Sequence, residues 1–131
     1  MGIEAISRGA ISATLVEKDR QAASIIRKNM AALHLSTEIE LISSEALLAL
    51  KKIKISFDII YLDPPYELPC APFVQEIIQY KLLAPLGTLF IEESSTKKAI
   101  RAPSFSSLTL ISSRRVGSAL LHQYEALHAL L

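Results

Sequence analysis

Phe57-Asp58-Ile59-Ile60-Tyr61-Leu62-Asp63-Pro64-Pro65-Tyr66 is the stretch from which the chain is read. Its first six residues, rich in Ile, Phe and Tyr, read as a buried β-strand. The strand must stop at Asp63, because proline has no N–H to donate and cannot continue a central ladder. Both prolines also fix φ, and Asp63 and Pro64, each preceding a proline, are biased to extended backbone. An acid, a rigid turn and an aromatic ring thus sit at the carboxyl end of a strand, which is where an open α/β sheet places its ligands.

The chemistry of the tetrapeptide follows from its groups. The Pro64 carbonyl lacks a neighbouring ladder partner and can face a cleft beside the Asp63 carboxylate. Two adjacent acceptors suit a planar –NH2 group with two donors. Tyr66 offers a flat face for a base, an interaction worth roughly 1–3 kcal/mol in single-stranded binders. Such a site could hold the amine of a base and direct its lone pair at an electrophile. A bare strand-ending double-proline turn without a ligand is the competing reading.

Around this stretch, strands and helices alternate. Residues 1–8 read as the tail of a helix with Ile3, Ala5 and Ile6 apolar and Gly9 as its stop. Ala13 to Glu17 is a short strand ending in an acid. Asp19 caps a helix over about 20–34 with Ala22, Ala23, Ile26, Met30 and Leu33 on one face. Glu38 to Ile42 is a strand, and Ser43 or Ser44 caps a helix from Glu45 to about Lys52. After the tetrapeptide, a helix over about 72–83 is followed by a Pro85-Leu86-Gly87 turn and a strand from Thr88 to Glu92, apolar enough to be buried on both faces. Glu93 to Ser104 is a polar excursion. Leu108 to Ser112 and Ala119 to Tyr124 make an antiparallel pair around residues 114–118, with Gly117 permitting the turn.

At 131 residues the chain is read as one domain, residues 1–131. Half of it is hydrophobic and mean hydropathy is +0.34, yet no apolar run approaches the ~18–20 residues of a membrane span. No signal peptide is visible. A lone cysteine, Cys70, excludes an internal disulfide and fits a reducing cytoplasm. The histidines at 34, 122 and 128 lack metal-ligand spacing, so no metal is expected and they read as structural or exposed. A net charge of +1 is a weak footprint for a nucleic-acid enzyme.

Asp63-Pro64-Pro65-Tyr66 is similar to the motif of amino-methyltransferases that use S-adenosylmethionine (SAM). With Gly2-Ile3-Glu4-Ala5-Ile6-Ser7-Arg8-Gly9-Ala10 and Leu15-Val16-Glu17-Lys18-Asp19, in order and at similar spacing, the chain to about Glu125 resembles the later two-thirds of the bacterial methyltransferases of small-subunit (16S) rRNA guanine-N2. The resemblance implies a class I SAM-methyltransferase (Rossmann-like) α/β fold: a mostly parallel sheet with a C-terminal antiparallel hairpin. The family's strand order is 3-2-1-4-5-7-6. Here the first, central strand and its Gly-rich loop are missing, Met1-Gly2 being the last remnant. This predicts a shortened reading frame, from a late start assignment or real decay. It also predicts self-association through the edges so exposed.

The resemblance also implies the site. Asp63, Pro64, Pro65 and Tyr66 would carry catalysis. Gly2, Glu17, Lys18, Ser44, Glu45 and Asp63 would line the SAM site, with Glu17 on the ribose hydroxyls. Glu45-Ala46 stands where the family has Asp-Ala facing the adenine amine, its carboxylate one methylene longer. Lys97, Lys98, Arg101, Arg114 and Arg115 are candidate contacts to rRNA phosphates. The alternatives are an amino-methyltransferase acting on DNA adenine N6 or a protein glutamine, a non-catalytic remnant, and a nucleotide-binding Rossmann protein, which would leave the double proline unexplained.

Overall fold

The computed structural model describes residues 6, 8–63, 69–94 and 103–126. Most of the helix expected over residues 1–8, the Pro64–Tyr66 turn and most of the polar excursion lie outside them. The chain forms two compact units, residues 1–52 and 53–131.

In the first unit, β1 (Ala13–Val16) and β2 (Ile39–Ile42) pair in parallel, from Ala13 opposite Ile39 to Val16 opposite Ile42. A parallel pair needs a crossover, and α1 (Arg20–Ala32) supplies it. Asp19 caps α1 as expected, its carboxylate accepting from the N–H groups of Gln21 and Ala22 at 3.4 and 3.3 Å. The helix buries Ala23 and Met30. Leu33, expected on the same face, is the C-cap and is 55% exposed, because His34 takes a left-handed φ of 55° and leads the chain out of the helix. Helix α2 (Ala46–Lys52) buries Ala49. Ser44 does not cap it by accepting an N–H: its hydroxyl donates to the Glu45 carbonyl at 3.1 Å.

The second unit is a four-stranded sheet in the order β3–β4–β6–β5, with β3 (Phe57–Leu62), β4 (Leu83–Ser94), β5 (Leu108–Val116) and β6 (Ala119–Ala126). Strands β3 and β4 are parallel; β4–β6 and β5–β6 are antiparallel. Helix α3 (Ala71–Gln79) makes the β3–β4 crossover. The expected class therefore holds: parallel βαβ connections, then an antiparallel hairpin. Within each unit the strand neighbours, β2 beside β1 and β3–β4–β6–β5, are those of the expected order.

Four local expectations differ. Strand β3 has the predicted limits, but Asp58 is exposed and Ile59 is 66% exposed, since among the described residues β3 has a neighbour on one side only. Helix α3 stops at Gln79 rather than residue 83, because Lys81 takes φ 54°. The predicted turn at residues 85–87 is a bulge inside β4: Phe57 pairs with Leu83 but Ile59 with Thr88. Strand β5 runs on to Val116, leaving a two-residue turn at Gly117 (φ 61°) and Ser118. Arg114 and Arg115 thus lie on a strand rather than in the turn.

The core of this unit is the alternating face of β6, where Leu120, His122 and Tyr124 are buried. It is completed by Leu89 and Ile91 of β4 and by Phe73, Val74 and Ile77 of α3.

At the bulge, a Cβ on Gly87 would lie 2.8 Å from the Ala84 carbonyl oxygen and 3.1 Å from that of Asp58. Backbone atoms on both sides cannot yield as a side chain would. Gly87→Ala is therefore expected to destabilise the fold by about 1–3 kcal/mol, read as a lower urea midpoint. An unchanged midpoint would show that the bulge relaxes freely.

Candidate active site

At the carboxyl end of the first unit's sheet the parallel ladder continues one step beyond the strands. The Glu17 N–H donates to the Ile42 carbonyl at 3.0 Å, and the Ser44 N–H to the Glu17 carbonyl at 3.2 Å. This brings Glu17 and Ser44 together. Glu17 is half-buried, and its Oε1 accepts the Asp19 N–H at 3.2 Å. The carboxylate is thereby held against the turn into α1, with acceptor capacity left over. Lys18 and Glu45 are exposed. Gly2 lies outside the described residues.

At the carboxyl end of β3 and β4, register decides what meets. Leu62 pairs with Ile91, so the next residue of each strand, Asp63 and Glu92, sits at the same sheet edge. Side chains alternate along a strand. Tyr61, Asp63, Phe90 and Glu92 consequently share one face. The Tyr61 hydroxyl donates to Glu92 Oε1, and the Tyr61 and Phe90 rings lie 6.4 Å apart. Asp63 is exposed as a residue, yet lost hydration is the largest cause that raises its carboxyl pKa. The negative charge of Glu92 follows, then a hydrogen bond with it. Burial pushes the Tyr61 phenol up to about 12, helped by its bond to Glu92 and by the charges of Glu92 and Asp63.

Glu93 turns to the opposite face. Its Oε2 lies 3.1 Å from His122 Nε2, its Oε1 accepts from the Cys70 thiol at 3.9 Å, and His122 Nδ1 lies 2.8 Å from the Ser113 hydroxyl. Both ring nitrogens of the fully buried His122 are therefore partnered, as a buried imidazole requires. This is a structural histidine, as its sequence context suggested.

Pro64, Pro65, Tyr66, Lys97, Lys98 and Arg101 lie outside the described residues. Arg114 and Arg115 are both exposed. As neighbours along β5 they point to opposite faces, so they do not make one basic patch. The sequence reading missed Glu92 and Tyr61. Two acids closing an apolar strand that pairs in parallel with one ending at Asp63 was the available signal. Among the described residues no group of three or more His, Cys, Asp or Glu could hold a metal, and no helix is long and apolar enough to cross a membrane.

A family profile described as "Conserved hypothetical protein 95" matches residues 1–125. A protein of Buchnera aphidicola (subspecies Baizongia pistaciae) named "Ribosomal RNA small subunit methyltransferase D" is 31% identical over 104 residues, covering 79% of this chain and 53% of that protein. The protein of the same name from Haemophilus influenzae is 28% identical over 129 residues, covering 95% and 65%. The chain thus spans between about half and two-thirds of the length of these relatives. A solved structure of a candidate methylase from Haemophilus influenzae superposes with a TM-score of 0.84 at 27% identity, covering 97% of this chain and 80% of that one.

The phenols of Tyr61 and Tyr124 are both pushed up to about 12, burial being the first cause in each. A phenol with a raised folded-state pKa stabilises the fold fully below its unfolded value near 10, and that contribution is lost as pH climbs towards 12. Stability is expected to fall over this window, read as urea midpoints. Tyr61→Phe and Tyr124→Phe should each remove one late phenol from an ultraviolet titration. Ionisation of both near pH 10 would contradict the described environments.

Proposed function

Because the chain belongs to the conserved hypothetical protein 95 family, we propose that it is a SAM-dependent methyltransferase that transfers a methyl group to the exocyclic N2 of a guanine in small-subunit rRNA. Residues 1–131 are proposed as one partial methyltransferase domain, working in the cytoplasm on rRNA or an assembling subunit. The names of the curated relatives support the substrate class. The observation that carries the chemistry is the Asp63 carboxyl at the end of β3, facing Glu92.

SAM, when bound, would supply the methyl group on a sulfonium. The residues present fit such a group by their donor set. Glu17 is a half-buried carboxylate at a strand end with acceptor capacity for ribose hydroxyls. Ser44 is tied to it, and Lys18, Glu45 and Gly2 complete the proposed set.

The target base must leave its stack to be reached. Asp63 accepts a hydrogen bond from its amine, together with the Pro64 carbonyl in this proposal, and Tyr66 stacks on the ring. The amine lone pair is thus aimed rather than left to tumble, and alignment of this kind carries most of the rate gain. A carboxylate beside the nitrogen also supports the positive charge that develops there.

Labelled methyl from SAM is expected on small-subunit rRNA or its assembly intermediates, recovered as N2-methylguanine, and not on DNA. Asp63→Ala should lower transfer by about 100-fold or more while SAM affinity, measured by calorimetry, stays within a few-fold. Label on DNA adenine would move the assignment to another amine substrate, and equal loss of binding and transfer would overturn the role given to Asp63.

A further inference from the structure

We propose that Glu92 is a positioning residue which, fixed by the Tyr61 hydroxyl at the carboxyl end of β4, makes Asp63 the acceptor of the proton that the methylated amine must lose. The inference rests on the methyltransferase reading and goes beyond it, because neither the tetrapeptide motif nor the family match assigns a role to β4.

Transfer has a charge to dispose of. As the amine nitrogen gains its C–N bond, the S–CH3 bond breaks with its electron pair left on sulfur. The nitrogen becomes cationic and releases one N–H proton. That proton needs an acceptor within hydrogen-bond reach. A carboxylate suits that role, since the cationic nitrogen is a far stronger acid than a carboxylic acid, but it has to be held in place and unprotonated when the bond forms.

The geometry around Asp63 holds it in place. Leu62 pairs with Ile91, so Asp63 and Glu92 extend side by side from adjacent parallel strands. Tyr61, two residues before Asp63 and on the same face, donates its hydroxyl to Glu92 Oε1 and so holds that carboxylate at the edge. Two carboxylates facing each other resist being charged together and share one proton more readily than either would alone. The described titratable groups facing Asp63 are Glu92 from β4 and Tyr61 from β3 itself. Opposite Glu92 and Phe90, β6 places Leu121 and Gln123, neither of which titrates, and one strand further β5 places Arg114 on this face, opposite Leu121. The raised Asp63 carboxyl agrees with this arrangement.

The pair acts in both stages. Deprotonated, Asp63 accepts a hydrogen bond from the substrate amine. Once the nitrogen carries its methyl, Asp63 takes the proton while Glu92 and the Tyr61 hydroxyl support the half-neutralised pair. The proton then leaves to solvent through exposed Asp63.

The test is Glu92→Gln in the full chain and in the longest form its gene encodes, with Tyr61→Phe as a milder second variant. Without any substrate, 13C NMR titration of the Asp63 carboxyl should show its midpoint move down towards the ordinary aspartate range in Glu92→Gln. A smaller change of the same sign is expected in Tyr61→Phe. With SAM and small-subunit rRNA, Glu92→Gln should lower kcat by about 10²-fold, shift the acid limb of the pH–rate profile to lower pH and leave KM within a few-fold. An unmoved Asp63 midpoint, or an active wild type whose pH profile Glu92→Gln leaves unchanged, would overturn this assignment alone. A wild type that transfers no methyl in either form would overturn the methyltransferase reading, and this inference with it.

Discussion

Pairing Leu62 with Ile91 places the next residue of each strand, Asp63 and Glu92, at the same edge of the second sheet. Most of what is distinctive in the second unit follows from that register. A shift by one residue would turn every side chain of β3 to the other face, parting Asp63 and Tyr61 from Glu92. The register is pinned at its lower end by the β4 bulge around Gly87, where only a glycine avoids the Ala84 and Asp58 carbonyl oxygens. It is pinned across the sheet by the antiparallel β4–β6 ladder from Thr88–Glu125 to Ser94–Ala119.

Alternation along β4 then separates two neighbouring acids by function. Glu93 turns to the face that holds Cys70, His122 and Ser113 and satisfies a buried imidazole. Glu92 turns to the face that holds Tyr61 and Asp63. One strand end thus supplies a structural carboxylate to the core and a second one to the candidate site. In the first unit the same logic operates on a smaller scale. The β1–β2 ladder runs one step past its strands, and Glu17 meets Ser44 at the carboxyl end.

The features legible in the sequence were those governed by local chemistry. The prolines at 64 and 65 marked the end of β3 to the residue, Asp19 marked the start of α1, and Gly117 marked the hairpin turn. Less legible were features set by a neighbour or by an unusual φ. The left-handed Lys81 ended α3 early, and nothing in a lysine announces that conformation. Pro85-Leu86-Gly87 read as a turn before a strand, whereas pairing with β3 on both sides of it makes it a bulge within one. Ile59 looked like core, but its exposure depends on how many strands flank β3. Of the candidate site, Glu17 and Asp63 could be named because an acid at a strand end is a local sign. Glu92 could not, since its meaning comes from the register of two strands about 30 residues apart in sequence.

The central claim is that the acids at these strand ends serve SAM-dependent methyl transfer, and the cofactor half of it can be tested without the RNA. Calorimetric titration of SAM into the chain, and into the longest form its gene encodes, is the most direct measurement. Stoichiometric binding that Glu17→Ala weakens at least tenfold is the result expected from a carboxylate holding the ribose. Absence of binding in both forms, or binding indifferent to Glu17, would contradict it.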